Sequence, residues 1–160
     1  MEYTISTLVE NHAGVLARLA QLFSARGFNI VSLTVAETDD PTMSRMTIVV
    51  EGDEKVMEQV KKQLNKSIDV VKVYDLTGKN PLVRELCILK VKATPTHRSE
   101  IIEIVDIYHA SIIDVSHQDV TIEATGETSK VLGIIKLLKP YGIKEIVRTG
   151  KVALARSLNI

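Results

Sequence analysis

The stretch "TLVENHAGVLARLAQLF", Thr7–Phe23, holds the junction that decides the fold. Residues 3–9 read as a strand. From Val15 onward the pattern changes: Val15, Leu16, Leu19, Leu22 and Phe23 recur at helical spacing, so 14–26 has one apolar face. Between the two lie Asn11, His12, Ala13 and Gly14. A strand that enters a helix through such a loop presents the first free N–H groups of the helix, whose dipole favours an anion. A glycine there lets a ligand approach the backbone closely. The same residues allow a plainer arrangement, in which Asn11 caps the helix and Gly14 makes the turn.

Working outward, Gly27 ends the helix. Residues 29–37 alternate Val31, Leu33 and Val35 as a half-buried strand, and "DDPT" at 39–42 is a turn. Met46, Ile48 and Val50 alternate again. Asp53 is placed to cap a helix that carries Val56, Met57, Val60 and Leu64 on one face. Ile68 to Tyr74 is a last strand. The order over 2–76 is β-α-β-β-α-β. "TGKNP", 77–81, is a linker, and the pattern then restarts: a strand over 84–93, a helix lined by Ile101, Ile104, Val105 and Tyr108, strands over 111–117 and 119–125, a helix lined by Val131, Ile134, Ile135 and Leu138 that stops near Pro140 and Gly142, and a strand over 143–149. The expected fold is α+β, with two ferredoxin-like β-α-β-β-α-β domains over 1–77 and 82–160. Small sheets of this kind have open edges, so pairing between domains or chains is expected.

Composition narrows the function. The 160 residues are 45% apolar and 25% charged, with a formal net charge of zero. That is a globular chain without the basic excess of a nucleic-acid protein. Aromatic residues make up 4%, and strands 43–51 and 119–125 contain none, so base stacking on the sheet is not expected. The lone cysteine, Cys87, alternates with Leu89, Val91 and Ala93 and reads as a buried, inert thiol. No leader-like segment and no run approaching a membrane span is present, so a cytoplasmic setting, or an organellar one after processing, is expected; Asn65-Lys66-Ser67 is then a chance sequon.

Catalytic and metal-binding patterns are lacking. The histidines at 12, 97, 109 and 117 show no metal-ligand spacing, Ser24, Ser32 and Ser44 lack a nucleophile elbow, and phosphate loops are absent. Gly126 to Lys130 resembles such a loop only superficially and fits an ordinary helix start. An amide-rich, glycine-containing loop flanked by aliphatic side chains describes a site for a free aliphatic amino acid.

"ENHAGVLARLAQLFSARGFNIVSLTVAETDD", followed by "SRMTIVVEGDEKVMEQVKKQLNKSIDVVKVYDLT", closely resembles the small regulatory subunits of acetohydroxyacid synthase (acetolactate synthase). "VRELCILKVKA", "IIDVSHQDVTIEATG" and "PYGIKEIVRTGKVALAR" extend the resemblance through the second half. It implies an N-terminal ACT domain, a ferredoxin-like C-terminal domain and a homodimer. It implies no catalysis and no cofactor in this chain; thiamine diphosphate, magnesium and FAD belong to the large subunit, which the small one binds, activates and makes sensitive to valine. The effector site is expected between two ACT domains. One chain would give Asn11, His12, Ala13, Gly14, Val15 and Leu16, and the other Asn29 and Ile30. A free-standing ACT-domain sensor acting on another protein is the alternative.

Overall fold

Alternation of Ile5 and Val9 with polar residues makes β1 (Glu2–Glu10) a strand with one apolar face. The computed structural model, which describes residues 1–157, continues through α1 (Val15–Ser24), β2 (Asn29–Glu37), β3 (Met43–Glu51), α2 (Glu54–Lys66) and β4 (Val70–Asp75). The strands lie in the order β2-β3-β1-β4 and every neighbouring pair is antiparallel. Ile5, Val9, Met46, Ile48 and Val50 meet Val15, Leu19 and Phe23 of α1 and Met57, Val60 and Leu64 of α2 in a single core. The i, i+3 and i, i+4 spacings within the helices aim those side chains at the sheet. Asp53 caps α2 as its position suggests, its Oδ1 accepting the Val56 N–H at 2.9 Å.

The register fixes what lies at each end of this sheet. Glu2 of β1 and Asn29 of β2 are both opposite Glu51, while Glu10 is opposite Met43 and Glu37 opposite Ser44. Strands β1 and β2 therefore run parallel, with β3 between them. Strand β2 departs from the half-buried expectation. Val31, Leu33 and Val35 are 46%, 36% and 39% exposed: β2 is an edge strand, and a bulge between Ile30 and Ser32 takes Val31 out of the alternation while Leu33 and Val35 stand opposite Ile48 and Met46. Ile68, expected to open the fourth strand, instead stands exposed in the turn before it.

The second unit repeats the plan with β5 (Leu82–Lys92), α3 (Arg98–Ile107), β6 (Ser111–Val115), β7 (Asp119–Gly126), α4 (Thr128–Leu138) and β8 (Ile143–Arg148). Its strand order is β6-β7-β5-β8. Cys87, Leu89, Val91, Val120, Ile122 and Ala124 pack on Ile101, Val105, Val131, Ile134 and Leu138. Burial pushes the Cys87 thiol above its ordinary pKa, as suits an inert core residue. After α4 a short turn at 139–141 leads to Gly142, whose φ of 102° reverses the chain into β8.

Contacts group Val83–Gly150 as one unit, and residues 151–157 group with Met1–Leu82. There β9 (Val152–Leu154), whose strand pairing is with β5, brings Ala153 to Thr47 on the face of β3 away from the helices. The Ala153 N–H donates to Thr47 Oγ1 at 3.4 Å, and Lys151 Nζ pairs with Glu2 Oε2 at 2.5 Å. This segment helps to explain why Ser6, Thr47 and Val49 are buried on that face. Three residues are too few for alternation to announce a strand. Among the described residues no helix is long and apolar enough to cross a membrane.

Candidate effector site

Strand β1 gives way to the loop at Asn11, whose N–H still donates to Thr42 O at 2.8 Å. Gly14 then takes the left-handed conformation, φ 87°, and is itself the cap residue of α1. No side chain caps this helix, and its first turn contains no acid. The Asn11 side chain does not cap it: its Nδ2 donates to Pro41 O at 2.8 Å and to Glu37 Oε2 at 3.4 Å. Asn11 thus pins the loop to the β2–β3 turn, beside the open edge of the sheet.

Beneath the loop lies an ion-pair network. Asp69, in the turn before β4, is 3% exposed. Its Oδ2 accepts from Arg18 Nε at 2.7 Å and its Oδ1 from Arg18 Nη2 at 3.0 Å, a two-pronged pairing of α1 with that turn. The Arg18 hydrogen bonds hold the Asp69 carboxyl below the usual carboxylate range, against the opposing effect of desolvation, and the guanidinium is raised in turn. His12 Nε2 stands 3.3 Å from Asp69 Oδ1 and 3.1 Å from Glu10 Oε2. Glu10, His12 and Asp69 are close enough to share an ion, but both Asp69 oxygens already receive the Arg18 fork. A guanidinium placed there repels a metal cation, so the trio is an ion-pair cluster.

The expected site residues fall into two places. Asn11, His12, Ala13 and Gly14 form one exposed loop, with Leu16 exposed beside it, whereas Val15 is buried in the core and offers a ligand only its backbone. Asn29 and Ile30 open β2, level with the start of β1; Asn29 is exposed and Ile30 packs against the core. The loop follows the end of β1. From Glu2 to Glu10, at ~3.3 Å per residue, the separation along one sheet is about 26 Å. One chain therefore does not bring the two groups together. Arg18, Asp69, Glu10, Glu37 and Pro41 are neighbours of the loop that the sequence reading did not include. Arg18 follows Gly14 by four residues and so shares its helix face, a signal open to view; Asp69 is 51 residues from Arg18 and gave none.

The first unit is a ferredoxin-like β-α-β-β-α-β domain whose first strand–helix loop turns on a left-handed glycine, and it is joined to a second unit of the same plan. Residues 5–72 match the model of the AHAS small subunit-like ACT domain, and residues 84–157 match the small subunit of acetolactate synthase. The chain is 51% identical over 154 residues to the acetolactate synthase small subunit of Mycobacterium leprae, covering 96% of this chain and 91% of that one. It is 48% identical over 158 residues to that of Bacillus subtilis, covering 98% and 91%. The crystal structure of the acetolactate synthase small subunit from Thermotoga maritima is similar with a TM-score of 0.91, 43% identity and 98% coverage of both chains. The chain belongs to the acetolactate synthase small-subunit family. As a small subunit it is the regulatory partner of a catalytic large one.

Proposed function

We propose that this chain carries no catalytic machinery of its own, that it raises the activity of the large subunit, and that it renders the assembly inhibitable by valine bound between the ACT domains of two copies. Thiamine diphosphate, magnesium and FAD are then held by the large subunit. The observation that carries the two-copy reading is the register. The Asn11–Gly14 loop and Asn29 lie at opposite ends of one sheet, and between them runs the open edge of β2. Antiparallel pairing of two β2 edges about a two-fold axis sets Asn29 of one copy against the Glu37 end of the other, which is where Asn11 is anchored. Leu16, Leu33 and Val35 lie exposed on or beside that edge, apolar surface suited to such a contact.

In that setting the valine carboxylate is received at the start of α1, where the chain supplies no acid of its own, and the ammonium is received by the Asn29 side chain and neighbouring carbonyls. Burying the isopropyl group contributes roughly 2–2.5 kcal/mol at about 0.8 per carbon. One further methylene changes this by only ~1–3 kcal/mol, so the aliphatic class is specified more sharply than its member. The test is reconstitution. The chain alone makes no acetolactate from pyruvate; mixed with its large subunit it co-purifies, raises the rate, and confers a fall in rate as valine is added. Acetolactate formation by the isolated chain, or failure to associate, contradicts the proposal.

A further inference from the structure

Asp69 is buried although the polar side chains around it, Glu10, His12 and Asn11, are open to solvent. A buried carboxylate persists only where a cation and hydrogen bonds compensate it, and Arg18 supplies both. The pairing uses Arg18 Nε and Nη2, which fixes the plane of the guanidinium and leaves the third nitrogen, Nη1, turned toward the loop. A Cβ built on Gly14 would lie 2.9 Å from Nη1. Glycine thus leaves room for the guanidinium to lie against the turn that opens α1. Nη1 makes no hydrogen bond to another described residue, while its two N–H groups remain donors.

We propose that Arg18, aimed by the buried Asp69, receives the α-carboxylate of the effector through Nη1, with Asp69 as its positioning partner. The inference rests on the effector reading above and adds a charged donor to a loop otherwise limited to amides. The roles of the two residues differ. Without Asp69 the cation remains but is no longer aimed. Without Arg18 the buried carboxylate keeps only His12 beside it, loses its guanidinium partner and repels the incoming ligand carboxylate.

Calorimetric titration of the full chain with L-valine separates the roles. Asp69→Asn weakens binding about threefold, and Arg18→Gln weakens it about tenfold or more, 1.4 kcal/mol for each factor of ten. The double variant carries no orphan charge and serves where Arg18→Gln does not fold. It binds at least about threefold more weakly than Asp69→Asn alone, the two differing only in Arg18. A double variant equal to Asp69→Asn, or an Arg18→Gln chain that binds like the parent, overturns the assignment of Arg18. A parent chain that binds no valine overturns the effector reading itself.

Discussion

Replacing Gly14 by aspartate separates folding from sensing, because its two effects differ in size. A side chain at φ 87° costs ~1–2 kcal/mol in the left-handed region. A carboxylate at the start of α1 recovers about 0.3–1 kcal/mol from the helix dipole, since no acid occupies that turn now. These two effects leave a net loss of about 1 kcal/mol, a fall of ~2–4 °C in the unfolding midpoint of a chain this size, to which the shift of Arg18 Nη1 away from the new Cβ adds. On the ligand the effect is larger. The new carboxylate starts from a Cβ position 2.9 Å from Arg18 Nη1, so it occupies the place of the effector's own carboxylate. Two like charges about 4 Å apart near a protein surface repel by ~4 kcal/mol, which removes about thirtyfold in affinity even when half of that is lost to relaxation. Thermal unfolding of the variant and valine titration of the reconstituted assembly measure both quantities. Nearly unchanged melting, retained activation and an abolished valine response are expected. Valine inhibition equal to that of the parent refutes the placement of the ligand at Gly14, and a collapse in melting temperature refutes the stability reasoning.

Three other outcomes follow from the packing and the titrating groups. Asp69 has a depressed folded-state pKa, so its pairing stabilises the chain fully above the ordinary carboxylate value and is lost as pH falls through the folded one; acid titration followed by circular dichroism should show less loss for Asp69→Asn than for the parent below about pH 4. The Cys87 thiol, buried and raised in pKa, should resist a thiol reagent in the native chain and react fully in denaturant; rapid native labelling would contradict the core described around β5. Ile48→Ala, at a fully buried position of β3, should cost ~2–5 kcal/mol in denaturant unfolding, and a loss under 1 kcal/mol would show that the sheet–helix core is not packed as described.

How much of this was legible in the sequence depends on the range of the interaction. Helices α1 and α2 could be read because Val15, Leu19 and Phe23, and Met57, Val60 and Leu64, each repeat within a few residues. The Asp53 cap is local in the same way. The duplicated strand and helix order followed from the same short-range patterns. The partners of Asn11 were not legible, since Pro41 and Glu37 reach it only through the β2–β3 turn. Asp69 looked like any polar residue near a strand, and its burial is decided by Arg18 on another element. The bulge in β2, the pairing of β9 with β5 and the Ala153–Thr47 hydrogen bond are likewise products of contact between distant segments. The family resemblance grouped the loop with Asn29 and Ile30, and the register supplies the reason one chain keeps them apart.

A site shared between two copies is tested most directly by combining one defect from each end of the sheet. Gly14→Asp damages the loop and Asn29→Asp damages the start of β2, so each homodimer carries its defect in both sites and should bind no valine. In a purified heterodimer of the two variants, one site combines both damaged elements and the other combines two intact ones. Calorimetry should then find about half a valine per chain at near-parental affinity, as two-fold symmetry requires. Were loop and strand of one site drawn from the same chain, each heterodimer site would keep one defect, and no binding would be recovered.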